Sequence, residues 1–248
     1  MTIITTALSV PILFVGALIG SAGIGGVLLV PVLHLWGGMS LHQAIPACMM
    51  GYVATGLVGT WVYMRRGTLS GNLALSVCAG AIPGAYLGAW LLSRISVDLL
   101  SVIVGLFVLS SGIHALASRS SCSESGFPPP RAGTLIAIGL VCGAGSALTG
   151  TGGPLLLIPL LVWRQVPVFT AIGLSQVIQI PIAVMATAGN LAHGQIDFEL
   201  GVALAALLGV GAYIGAVTAH ALPVRIMEKP VSVILIAAGS FITYRAVF

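Results

Sequence analysis

The sequence contains the same glycine turn twice. Residues 21–31 read SAGIGGVLLVP and residues 148–159 read LTGTGGPLLLIP, and an offset of 127 residues carries Gly23, Gly25 and Gly26 onto Gly150, Gly152 and Gly153. The same offset takes Trp36 to Trp163, Ala44 to Ala171 and Gly67 to Gly194, then Gly84, Tyr86, Gly88 and Ala89 to Gly211, Tyr213, Gly215 and Ala216. A shared hydrophobic composition would not hold glycines, a tryptophan and a tyrosine in one register through five segments. A duplicated unit does.

Each unit is a series of apolar runs cut by Gly, Pro and charge, at 2–22, 24–37, 41–64, 71–93 and 97–118, then 133–149, 153–163, 168–190, 200–222 and 230–247. Only 6% of the residues are charged, against about a quarter in a soluble domain. The chain therefore lacks the means to cover itself in water, and about 20 apolar residues suffice for one bilayer crossing. These runs predict an all-α polytopic transmembrane bundle of 8–10 membrane segments, with a first repeat over 1–118, a Ser- and Pro-rich linker over 119–131 and a second repeat over 132–248. Two runs, 24–37 and 153–163, reach only about 21 and 16 Å as helices, short of a core about 30 Å thick. Both begin at a glycine pair, which predicts helices broken at membrane depth. No Lys or Arg precedes the run at 2–22, so it reads as mature protein and not as a signal peptide.

Positions of the basic residues orient the halves. With Arg65 and Arg66 placed in the cytoplasm and five segments per half, the second repeat enters inverted. Arg119, Arg131, Arg164, Arg225 and Lys229 then also face the cytoplasm, leaving Arg94 and Arg245 outside: seven against two. Four crossings per half would give five against four. The sequence thus predicts two inverted-topology repeats, a cytoplasmic linker and a periplasmic 193–199 loop. The balance holds whether the first two segments of each repeat cross fully or form a re-entrant hairpin.

The glycine turns carry the expected chemistry. Irregular backbone at membrane depth is tolerated only where it is buried or lines a wet cavity, and a helix beginning there aims free N–H groups and a positive dipole end at whatever lies in front of it. Two such turns from opposite faces make an anion site with no buried Lys or Arg. Glycines at four-residue spacing, such as Gly16, Gly20, Gly80, Gly84, Gly139, Gly143, Gly211 and Gly215, read instead as helix-packing positions. Beside the turns stand Thr149 and Thr151. The long run 168–190 adds Ser175, Gln176 and Gln179 within one turn of each other, and polar groups at this depth face a cavity or another helix. Their equivalents are Cys48, Met49 and Tyr52, so the site should be richer in donors on the side of the second repeat. The expected substrate-binding set is Gly25, Gly26, Tyr52, Thr149, Thr151, Gly152, Gly153, Ser175, Gln176 and Gln179.

Other residue types narrow the function. The five histidines are scattered, and the acids (Asp98, Glu124, Asp197, Glu199, Glu228) fall in loops or at segment ends. The four cysteines lack ligand spacing. No metal or cofactor is expected, no clustered catalytic set suggests a membrane enzyme, and nine Lys and Arg are too few for a nucleic-acid surface. A carrier accounts for the paired turns. An anion channel with the same helix-end site is the alternative, and a membrane assembly partner would leave the polar helix unexplained.

At these motifs the sequence resembles the TauE/SafE family of sulfite exporters. GIGGVLLVP and TGGPLLLIP are each followed by a long helix, then RRG or HGQID, and then the helices AIPGAYLGAWL and GVGAYIGAVTA. The second turn departs from the pattern with Thr151 at a usually apolar position and Pro154 directly after the glycine pair. The resemblance spans both halves. It implies a multi-pass carrier of the bacterial inner membrane that exports small sulfur-containing anions such as sulfite, sulfoacetate or related organosulfonates. Its expected partners are the anion, membrane lipid and, as a compatible assembly, a second copy in a homodimer.

Overall fold

The computed structural model describes residues 2–23, 25–67, 71–96, 98–99, 102–106, 130–164, 168–192 and 197–218, with isolated positions at 69, 109–110, 113, 166, 236–237, 240 and 243–244. Among them every regular element is helical. Most of the linker, the runs at 97–118 and 230–247 for the greater part, and residues 193–196 lie outside the described residues.

In the first repeat, helix α1 spans Thr2–Ala22, α2 spans Gly26–Pro31 and runs on as a π-turn over Val32–Trp36, α3 spans Leu41–Arg65 and α4 spans Gly71–Leu92. In the second, α5 spans Ala132–Thr149, α6 Pro154–Trp163, α7 Val168–Ala192 and α8 Phe198–Thr218. The helices α3, α4, α5, α7 and α8 are long and apolar enough to cross a membrane, whereas 26–36 is shorter. The protein is an all-α, polytopic membrane bundle.

Local chemistry sets the breaks. The side chain of Gln43 accepts from the Ser40 backbone N–H and hydroxyl, fixing the start of α3. Asp197 caps α8 by accepting from the Leu200 N–H at 3.1 Å. α5 stops at Gly150, whose φ of 74° is left-handed and whose N–H returns to the Ser146 carbonyl at 2.8 Å. Pro154 then opens α6, where its missing N–H leaves no intrahelical bond unmade.

The helices pack across the two halves. α1 lies on α8 and α4 on α5, α3 contacts α8 as α7 contacts α4, and α3 meets α7 at the centre. Exchanging the halves reproduces this set of pairings. Gly16 abuts the backbone of Leu208 and Gly211, and Gly20 that of Ala212, so α1 and α8 run parallel. Gly84 abuts Leu140, and Gly88 abuts Ala144 and Ala147, so α4 and α5 also run parallel. The four-residue glycine stripes thus let these backbones touch. At the centre Gly59 faces Gln176 and Gly56 faces Ile180, so α3 and α7 run in opposite directions. The large apolar side chains that remain exposed, such as Val10, Leu75, Val202 and Val210, have no water-soluble role and suit a lipid-facing rim.

Candidate functional site

Both glycine turns arrive at the middle of the bundle. Tyr52 and Gln179 are each the twelfth residue of a 25-residue helix, and both stand beside Gly152: a Cβ there would lie 2.8 Å from Gln179 Nε2 and 3.1 Å from the Tyr52 ring. Across from it, a Cβ on Gly26 would run into the Thr151 carbonyl and lie 3.4 Å from the Tyr52 hydroxyl. The Tyr52 hydroxyl donates to the Gly26 carbonyl at 2.7 Å, tying α3 to the first turn. Thr149 donates to the Gly145 carbonyl at 2.6 Å, and its oxygen lies 3.2 Å from that of Thr151. Tyr52, Thr149, Thr151, Ser175, Gln176 and Gln179 are all buried, none more than 3% exposed.

The structure brings Gly26, Tyr52, Thr149, Thr151, Gly152 and Gln179 together and sets Gly25, Gly153, Ser175 and Gln176 against other neighbours. Gly26 and Gly152 border the polar cluster, whereas their neighbours do not. Gly25 is in ordinary right-handed helical geometry, and a Cβ on it would meet Ile19 N and Leu18 Cβ of α1, each at 2.8 Å. A Cβ on Gly153 would meet Ile182 Cδ1 at 2.9 Å and Ile178 Cγ2 at 3.6 Å, on the apolar flank of α7. A bulky residue at 153 would thus meet these isoleucines and a φ of 106°, with Ser146 Oγ 4.0 Å from its Cβ. Ser175 and Gln179 share the inner face of α7 but serve different turns. Ser175 Oγ lies 3.1 Å from where a Cβ on Gly23 would be, while Gln179 serves Gly152.

Gln176 is partly structural. Its Nε2 donates to the Ile19 carbonyl of α1 at 3.0 Å, and its amide occupies the space left by the missing side chain of Gly59. Gln179 has neither amide atom partnered, although it is fully buried. Leaving such a group without a partner costs about 1–3 kcal/mol, which marks it as waiting for one.

Thr60, Thr187 and Asn190 also escaped the sequence reading, Asn190 buried and the two threonines partly buried. The hydroxyls of Thr60 and Thr187 and both amide atoms of Asn190 have no partner. The repeat offset itself points to them, since it carries Thr60 to Thr187 and Tyr63 to Asn190. Tyr63 donates to the Gly20 carbonyl at 3.1 Å, closing the α3 side, whereas the shorter Asn190 makes no such bond. His42 Nε2 donates to the Ile95 carbonyl at 3.2 Å, at the start of α3 and away from the turns.

Residues 8–242 match the family model described as sulfite exporter TauE/SafE. Two Bacillus subtilis proteins, each named a probable membrane transporter protein, are similar along nearly the whole chain. YdhB is 24% identical over 237 residues, covering 92% of this chain and 96% of its own, and YunE is 23% identical over 259 residues, covering 94% of each. A probable membrane transporter protein of Xylella fastidiosa is 34% identical over 104 residues, 41% of this chain and 40% of its own. No solved structure matches. With broken helices meeting at mid-bundle and a family match from α1 onward, the chain belongs to the sulfite exporter TauE/SafE family of membrane transporters.

Proposed function

We propose that this transporter exports small sulfur-containing anions, such as sulfite, sulfoacetate or related organosulfonates, across the bacterial inner membrane by alternating access, with the substrate held between the two glycine turns. The observation that carries the reading is the unpartnered, fully buried Gln179 beside Gly152, where α6 begins and where the second turn meets Gly26 of the first. Helix N-termini stabilise an anion by about 0.3–2 kcal/mol each, and hydrogen bonds to a charged group add about 1.5–3 kcal/mol. A few of these together give weak, releasable binding of the kind a carrier needs. Burial of the whole cluster suits an occluded step in which neither side has access.

An inverted relation of the repeats would let one site open alternately to either face. Two observations support it. The offset-equivalent helices α3 and α7 run in opposite directions where they touch. Arg66 donates to the Val217 carbonyl at 3.1 Å, bringing the end of α3 and the end of α8 to one side, as the distribution of Lys and Arg requires. A channel is the competing reading. Proteoliposomes loaded with sulfite, sulfoacetate, thiosulfate or sulfate separate the two: a carrier shows faster uptake of label when unlabelled anion is present on the opposite side, and a channel does not. Flux of none of these anions above that of empty liposomes would remove the substrate class.

A further inference from the structure

The polar groups around the turns are only partly satisfied. The buried polar residues among those described are all uncharged, and most of their protons are already committed. Tyr52 donates to the Gly26 carbonyl, Ser175 to the Ile172 carbonyl at 2.7 Å and Thr149 to the Gly145 carbonyl. Because the proton of Thr149 is engaged there, the 3.2 Å contact between the two threonine oxygens is donated by Thr151. Gln176 Nε2 faces a carbonyl, which can only accept, so the orientation of that amide is fixed and its free atom is the oxygen. Gln179 has both its nitrogen and its oxygen free, and Ser146, whose oxygen lies 4.0 Å from a Cβ position on Gly153, keeps a free hydroxyl.

The free capacity is therefore mixed. Gln179 Nε2 and the leading N–H groups of α6 can donate. The oxygens of Gln179, Tyr52 and Thr151, which stand at the meeting of the two turns, can only accept more. An ion made purely of acceptors, such as a sulfite or sulfate dianion, would meet those oxygens lone pair against lone pair, with two charges and no buried cation among the described residues to answer them. A single charge with a donor of its own fits both sets.

We infer that the substrate is bound and carried as a hydrogen-bearing monoanion: hydrogensulfite, or a sulfonate bearing a hydroxyl or a protonated carboxyl group. This deepens the reading of the turns as the substrate site and rests on it. The proton is taken up by the substrate in bulk solution before binding and is returned to solution after release. No covalent bond of the protein is made or broken and no side chain in the membrane need titrate. Because the proton leaves with the anion, export is driven by the substrate gradient and the membrane potential and is opposed by an inward proton gradient.

The test is initial-rate sulfite flux by the full-length protein in proteoliposomes, with the flux of empty liposomes subtracted. Both total sulfite and pH are varied across the range in which hydrogensulfite gives up its proton. The expected result is that rates from every pH fall on one saturation curve when plotted against hydrogensulfite concentration. The maximal rate is constant, and the apparent KM for total sulfite rises about tenfold per pH unit once the dianion dominates. Rates that follow the dianion, follow total sulfite, or collapse on neither species overturn the inference while leaving sulfite transport standing. No protein-dependent flux at any pH overturns the proposed function, and the inference falls with it.

Discussion

At the scale of single residues, Gln176 and Gln179 look alike in sequence but differ in what they touch. Gln179→Leu removes a buried amide that has no protein partner, so the fold loses nothing and gains apolar contact. The expected outcome is an unfolding temperature in detergent at or above that of the parent, with transport reduced about tenfold or more, the equivalent of about 1.4 kcal/mol or more of lost substrate binding. Gln176→Leu breaks the bond to the Ile19 carbonyl, though that carbonyl also accepts from the Gly23 N–H. Its stability should fall by about 0.5–1.5 kcal/mol. Paired thermal-shift and flux measurements check both. Parental transport by Gln179→Leu would move the site elsewhere. The residue types and their depth were readable from the sequence. Which of two neighbouring glutamines is already bonded was not, because Ile19 lies 157 positions away along the chain and only packing brings it to α7.

At the scale of helices, the packing glycines follow a simple rule: where two backbones touch, no side chain can intervene. A Cβ on Gly84 would lie 3.0 Å from the Leu140 backbone carbon and Cα and still closer to its oxygen, and one on Gly211 would lie 3.0 Å from Ala17 N and Gly16 Cα. Backbone cannot move aside as a side chain can, so the helices must separate. Gly84→Ala and Gly211→Ala should each cost about 1–3 kcal/mol, seen as a lower unfolding temperature and a smaller yield. Transport per folded molecule should stay near the parental rate, since neither position borders the turns. A slowed specific rate with unchanged stability would contradict the packing assignment. Four-residue spacing was sufficient to separate these glycines from those of the turns. It could not distinguish Gly25 from Gly26, or Gly153 from Gly152. In each pair one glycine meets the polar cluster, whereas Gly25 meets the backbone of α1 and Gly153 the isoleucines of α7, a direction set by turn geometry and invisible in composition.

At the scale of the whole molecule, the pairing of helices and the placement of charge lead to one expected topology. Arg65 stacks 4.2 Å above the Trp61 ring and Arg94 5.3 Å from the Trp90 ring, at the ends of α3 and α4 where amphipathic side chains meet the membrane surface. Single cysteines replacing Ser123 and Gln195, in a chain freed of Cys48, Cys78, Cys122 and Cys142, should respond differently to an impermeant thiol reagent applied to intact cells. Gln195→Cys should be labelled and Ser123→Cys should not. Labelling of both from outside would rule out inverted repeats with a cytoplasmic linker. The sequence alone determined that this chain is a helical membrane protein made of two related halves, each interrupted by a glycine turn, because bilayer length, lack of charge and a fixed repeat offset are linear properties. Only the tertiary structure decided that α4 lies on α5 and α1 on α8, that the turns converge on Tyr52 and Gln179, and which polar atoms remain without a partner. A helix in lipid shows one apolar periodicity whichever neighbour it packs against, so its partners emerge only when backbones come within contact of one another.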